Sequence, residues 1–307
     1  MKIPLYVSFV FLIQVLGPSL GFSQPVSVVD NNAITCSILG DARLVQDGKR
    51  IKLKLFEWLK PGQQVETASR SSVILAFVNG DRYEIREKSL ANVQETTLKA
   101  LSGTVQKLAP VPAMIKIAPI AKGEKAGIRS AAARFRGNLD RLKPIPNLYP
   151  SEGAAVLAEA ATLRFDPVEG CEKYDVRIET ETVINILSVT TTSTEVKVPA
   201  GILRSGGTYR WRVRTMDAVK EAMSASAAFM TLTEENARVR TSLKAQAERS
   251  NDDSLIALLA ILDHSLGLRR EACQEMLTVT QHAPPNEAVK LALESFKCAE
   301  HNAAPRP

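Results

Sequence analysis

Apolar residues recur along this chain with two different periods, and the change between them divides it. Ile51, Leu53 and Leu55 alternate with Lys52 and Lys54, which predicts a strand with its apolar side chains on one face. Asp47-Gly48 before it and Pro61-Gly62 after it are turn signals. The uninterrupted run Val73-Ile74-Leu75-Ala76-Phe77-Val78 predicts a buried strand, and Asn79-Gly80 can take the positive backbone angles of a tight hairpin turn. Tyr83 and Ile85 then alternate with Arg82, Glu84 and Arg86 on the returning strand. A lone hairpin is marginal in water, so earlier strands must complete a sheet around it. These elements place a first β module over residues 26–100.

A second period-two region spans residues 147–232. Leu163, Phe165 and Pro167 open a strand and turn, and Tyr174, Val176 and Ile178 alternate with Asp175, Arg177 and Glu179. Val183 to Val189 is apolar, Thr190 to Thr194 is a polar interval, and Val196 and Val198 alternate up to Pro199. After Gly206-Gly207, the side chains of Tyr209, Trp211, Val213 and Thr215 face one way and those of Arg210, Arg212 and Arg214 the other. Phe229 to Leu232 forms a closing strand. Short strands separated by turn signals indicate a β-sandwich.

From Thr233 the period becomes helical. Thr231 followed by Glu234 suggests a cap for a helix reaching about Arg249. Leu255, Leu258, Leu259 and Leu262 recur at helical spacing up to Gly267; Ala272, Met276 and Leu277 mark a third helix, and Ala288, Leu291, Leu293 and Phe296 a fourth after Pro284-Pro285-Asn286. The expected architecture is therefore mainly β and multi-domain, ending in C-terminal α-helical hairpins over residues 233–303.

The N terminus changes where this protein is expected to reside. Met1-Lys2 is followed by a charge-free apolar segment from Pro4 to Leu20 and by the small-residue site Gly21-Phe22-Ser23. That is the pattern of a secretory signal peptide over residues 1–23, cleaved after Ser23; an uncleaved membrane anchor is the alternative. The expected location is the periplasm, the cell envelope or the exterior.

Charge is uneven. The formal net charge is +6, and residues 107–143 hold nine basic residues, Arg134 and Arg136 among them, against Glu124 and Asp140. That excess alone covers the whole net charge. Pro110, Pro112, Pro119, Gly123 and Gly127 interrupt regular structure there, so residues 101–146 read as a basic connector with a short strand at Met114 to Ile117. Such a connector is either a solvated linker or a segment drawn to lipid headgroups or anionic envelope polymers. Export separates it from nucleic acid.

Four cysteines are present: Cys36, Cys171, Cys273 and Cys298. Cys273 and Cys298 lie in two successive predicted helices joined near Pro284, so their sulfurs can meet across a helical hairpin. Closing that loop contributes about 3.5 kcal/mol in the chain-entropy model. Two separate buried thiols are the alternative.

Few residues offer catalytic or metal-binding chemistry. His264, His282 and His301 are the only histidines, and no two have the four-residue helical spacing of a metal motif. His264 beside Asp263 reads as an exposed helix pair, and Asp252-Asp253 as a helix cap. No Cys-x-x-Cys, phosphate-binding glycine loop or Gly-x-Ser-x-Gly elbow occurs. Neither catalytic, cofactor-binding nor metal residues are assigned, and no cofactor is expected. Arg210, Arg212 and Arg214, spaced about 6.6 Å apart along one strand, are candidates with Arg134 and Arg136 for a surface that meets an anionic partner; pairing with Asp175 and Glu179 on a solvated sheet face is the alternative.

Three resemblances follow from these residues. Gly40, Leu59 to Thr67 and Ser71 to Asp81 resemble the FecR-like domain family, with Ala68, Asn79 and Asp81 departing from its pattern. This implies an extracytoplasmic β domain, found in envelope-signal regulators and beside binding modules. Leu163 to Pro167, Tyr174-Asp175-Val176, the Leu203 to Gly207 turn, Tyr209 to Arg214 and Phe229 to Leu232 resemble a fibronectin type III-like domain, which implies a spacer or protein-binding module with Tyr209, Trp211 and Val213 in its core. Leu266-Gly267-Leu268, Glu271-Ala272 and Pro284 to Ala288 are similar to a degenerate tetratricopeptide-like hairpin, too short for a solenoid groove. The expected function is an exported envelope scaffold or binding protein, not an enzyme, whose partner is an envelope protein or an anionic envelope polymer. A component of an envelope signalling system and an enzyme acting on an envelope polymer are the alternatives.

Overall fold

The computed structural model describes residues 32–113, 144–182, 185–216, 223–250 and 252–282, with Val289, Leu293, Glu294, Phe296 and Cys298. The signal segment, most of the basic connector with Arg134, Arg136 and the strand at Met114, and most of the fourth helix lie outside the described residues.

Ten strands build the first module: β1 (Ala33–Leu39), β2 (Ala42–Gln46), β3 (Lys49–Lys52), β4 (Trp58–Leu59), β5 (Gln64–Thr67), β6 (Ser72–Phe77), β7 (Arg82–Ile85), β8 (Leu90–Val93), β9 (Leu98–Ser102) and β10 (Val105–Leu108). They form two five-stranded sheets, ordered β10-β7-β6-β1-β4 and β3-β2-β5-β8-β9. The sheets enclose one core, in which Val73, Leu75, Phe77 and Ile85 meet Leu44, Val65, Ala91 and Val93.

The hairpin is present, with β6 and β7 antiparallel. Its turn uses a positive φ at Gly80 alone (91°), not at Asn79 as well, because three residues separate Phe77 from Asp81, whose carbonyl accepts the Phe77 N–H. The strand expected through Ile51, Leu53 and Leu55 ends at Lys52. Leu53 is buried, but Ile51 sits on an edge strand and is 51% exposed. Part of the expected connector is also sheet, since β10 pairs with β7 and the Val111 N–H reaches the Gly80 carbonyl at 2.8 Å.

The second module contains β11 (Ala154–Val156), β12 (Thr162–Arg164), β13 (Tyr174–Glu179), β14 (Leu187–Thr191), β15 (Glu195–Lys197), β16 (Thr208–Thr215) and β17 (Ser224–Thr231). A sheet ordered β11-β17-β16-β13-β14 faces the pair β12-β15 across a core of Leu163, Phe165, Tyr174, Val176, Trp211, Val213 and Phe229. The fully buried Trp211 donates its indole N–H to the Pro150 carbonyl at 2.8 Å. Thr190 and Thr191 belong to β14 and not to a polar interval. The closing strand starts at Ser224 instead of Phe229, because Ser224 to Ala228 are too small to give a strong alternating signal.

Three helices follow: α1 (Glu234–Ser250), α2 (Asp253–Ser265) and α3 (Arg269–His282). Thr233, not Thr231, caps the first, accepting the Asn236 N–H at 3.3 Å; Thr231 is committed to β17, where its hydroxyl bonds the Arg204 carbonyl at 2.5 Å. Asp252 caps α2 through the Ser254 N–H. Gly267, at φ 83°, ends α2 with paired bonds from Leu268 to Asp263 and from Gly267 to His264, the left-handed stop that glycine adopts without a Cβ penalty.

The helices bind both β modules. Leu243, Ala247, Leu255, Leu258 and Leu262 pack on Ile34, Cys36, Ala76 and Val111, which explains why β1 and β6 are apolar on both faces. Leu268 packs with Ala155 and Leu232. Cys273 and Cys298 are joined in a disulfide. Beside it, the Phe296 ring stacks on Phe56 of the first module and on His264, at 5.7 and 4.2 Å between centroids. The fold is thus mainly β, with largely antiparallel sheets, β11 pairing with β17 in parallel, and a C-terminal helical tail. Among the described residues no helix is long and apolar enough to cross a membrane.

Candidate functional site

Strand alternation positions the arginines. Every inward residue of β16 is buried, so Arg210, Arg212 and Arg214 occupy the opposite face. Arg177 on β13 joins them there, a fourth member carried by the alternation from Tyr174 to Glu179. The register sets Arg177 against Arg212, Glu179 against Arg210 and Asp175 against Arg214. Asp175 bonds Arg177 at 2.8 Å and Glu179 bonds Arg212 at 3.4 Å. Among the described residues, four cations and two anions therefore share the face, two of the cations already partnered.

A second concentration of charge is buried in the tail. Arg240 of α1 and Asp263 of α2 are 6% and 0% exposed in their side chains. The Arg240 Nε–H donates to both Asp263 oxygens at 2.8 and 3.0 Å, and Nη2 donates to Oδ2 at 2.7 Å. Nη2 also reaches Glu275 of α3 at 3.4 Å. Tyr149 of the second module donates its hydroxyl to Glu271 at 3.2 Å, and the Arg270 guanidinium lies 5.2 Å from the Tyr149 ring centroid. Burial, reinforced by the Asp263 carboxylate, pushes the Glu275 carboxyl well above its ordinary range. Burial raises Asp263 too, although Arg240 opposes it.

The expected exposed pair of Asp263 and His264 is not found. Asp263 turns inward to Arg240 while the His264 ring lies on Phe296. The helical period already places successive residues about 100° apart, but only the packing identifies which of them is covered. Arg82, which alternation puts on the outward face of its hairpin, is 1% exposed because the helical tail covers that face. Its Nη2 donates to Asp252 at 2.7 Å and also bonds the Ser254 hydroxyl.

A shallow depression of about 500 Å³ is lined by Val45, Asp47, Gly48, Lys60, Pro61 and Gln64, away from the arginines. No group of three or more His, Cys, Asp or Glu side chains among the described residues is placed to hold a metal ion. The Cys36 thiol is pushed up to about 12 by burial, which keeps it protonated and a poor nucleophile.

No protein-family model matches the chain, and no curated protein matches it. Among solved structures it is similar to CopC from Methylosinus trichosporium OB3b, at 19% identity over 30% of this chain and 94% of that one, with a TM-score of 0.23. A two-domain fibronectin type III segment of chicken tenascin is 13% identical over 67% of this chain and 87% of its own, with a TM-score of 0.24. The FN1–FN3 domains of chicken CNTN1 are 9% identical over 66% and 58%, with a TM-score of 0.23.

Proposed function

We propose that this protein is an exported scaffold of the cell envelope that binds an anionic partner and carries out no catalysis of its own. The observation that supports this most is the double attachment of the tail. It packs on the first module through Ile34, Ala76 and Val111 and on the second through Ala155 and Leu232, and polar bonds from Arg82 and Tyr149 reinforce each contact. A tail held this way ties two β modules together. The signal-like start and the Cys273–Cys298 disulfide support an oxidising compartment outside the cytoplasm. In this reading the first module is FecR-like, the second fibronectin type III-like and the tail a degenerate tetratricopeptide-like piece that serves as a docking wedge.

Fractionation by osmotic shock tests the assignment. Release of a chain shortened at Ser23, with Cys273 and Cys298 oxidised, is the expected result. Recovery in the cytosol with an intact N terminus overturns it.

A further inference from the structure

Charge on the outward sheet face of the second module is arranged to leave specific arginines without an ion pair. Arg177 and Arg212 lie directly opposite one another on adjacent strands, a placement in which like charges repel. Both carboxylates of the face are used there: Asp175 on Arg177 and Glu179 on Arg212. Arg210 and Arg214 consequently form no ion pair among the described residues, although Glu179 and Asp175 are their own cross-strand neighbours. Arg214 is exposed, so an anion arriving there displaces no resident partner; Arg210 is half-buried, with its Nη2 buried and without a hydrogen-bond acceptor. The two arginines are four residues apart on one strand, about 13 Å.

The rest of the face narrows the kind of partner. Cross-strand rows read Thr190, Asp175, Arg214, Ser224 and then Ser188, Arg177, Arg212, Ser226, with Arg210 beside Ala228 in the next. Ser188, Thr190 and Ser226 are exposed. No side chain in these rows is both apolar and larger than alanine. Hot spots at protein interfaces centre on Trp, Tyr and Arg, with Ser and Thr under-represented; this face has no aromatic member and sets its arginines among serines and threonines. It supplies guanidinium forks for carboxylates and hydroxyls for a chain that is itself rich in hydroxyls.

We propose that this face binds an acidic polysaccharide, with carboxylates of the polymer at Arg214 and Arg210 and its hydroxyls along the serine and threonine rows. The inference rests on the envelope-binding function proposed above and names the partner's chemistry.

The test uses the full chain and immobilised polygalacturonate, with neutral dextran and poly-glutamate as comparison ligands. Binding to polygalacturonate that weakens with added salt, and that falls at least about tenfold in the double variant Arg210→Ala, Arg214→Ala, is the expected result. The control Arg50→Ala, at an ion pair on the first module, is expected to bind as the parent does. Circular dichroism checks that each variant is folded; should the double variant unfold, the exposed Arg214→Ala carries the comparison alone. Unchanged binding in a folded face variant, an equal loss in Arg50→Ala, or equal affinity for poly-glutamate, which would indicate a protein partner, each overturns the inference. A chain released by osmotic shock that ignores polygalacturonate overturns it while leaving the proposed export standing.

Discussion

Arg82 and Asp252, separated by 170 positions in sequence, are joined at 2.7 Å between the hairpin of the first module and the start of α2. Asp252 does two things at once. Oδ1 accepts the Ser254 N–H at 2.9 Å and caps the helix, while Oδ2 accepts from the buried guanidinium. Burial acts to raise its carboxyl, but the bonds from Ser254 and Arg82 outweigh that and hold it below its ordinary value. A negative charge at a helix N terminus is favourable in its own right, so one side chain serves both the helix and its docking.

Asp252→Ala is expected to destabilise the protein by about 3 kcal/mol, because it leaves the Arg82 charge buried without its partner and removes a cap. Asp252→Asn keeps the cap and costs less. Urea unfolding checks both. In Arg82→Met, Asp252→Ala the penalty is expected to be smaller than in Asp252→Ala alone, since no unpaired charge remains.

Replacing Cys273 and Cys298 with alanine together is expected to cost about 3.5 kcal/mol of stability in the chain-entropy model. Thermal unfolding with and without a thiol reductant checks this. Reductant should bring the parent protein down to the variant and leave the variant unmoved. Phe296, two residues before Cys298, stacks on Phe56, so proteolysis of the reduced protein is expected near the end of the chain.

Glu275 sets the direction of a pH effect. Its folded carboxyl lies above its unfolded value, so the folded state keeps a proton that the unfolded chain has lost. That contribution is complete below the unfolded value of about 4.3 and declines as pH rises through the folded one. Asp263 acts in the same direction, and Asp252 in the opposite one, losing its contribution as pH falls. Unfolding measured from pH 5 to pH 9 is expected to show a loss of stability that is smaller in Glu275→Gln, which cannot ionise.

Gly80→Ala is expected to destabilise by about 2 kcal/mol or more. The position has a φ of 91°, and an added Cβ would collide with the Val111 carbonyl oxygen. Urea unfolding checks the loss, and hydrogen exchange at Val111, whose N–H bonds Gly80, should accelerate.

Local pattern was sufficient where an element's period and its burial agree. Alternation in Tyr209 to Thr215 identified a strand with Trp211 inside, and the leucines from Leu255 to Leu262 identified a helix. The Cys273–Cys298 pairing was legible for a similar reason, since two predicted successive helices joined by a short turn bring their residues together with little dependence on the rest of the chain. The arginine ladder was legible as a set of positions; which two members lack ion pairs among the described residues was not, because Asp175 and Glu179 reach arginines other than those directly opposite them.

By itself, then, the sequence determined the two β regions, the helical tail and the stripe of arginines, because each is a short-range pattern governed by the geometry of one strand or helix. The tertiary structure alone decided that Arg82, Asp263 and Arg240 are buried and that Val105 to Leu108 return to pair with β7. Those outcomes depend on which surfaces distant segments cover. A polar residue placed outward by its own strand becomes interior once a helix 170 positions later brings the carboxylate that makes its burial tolerable.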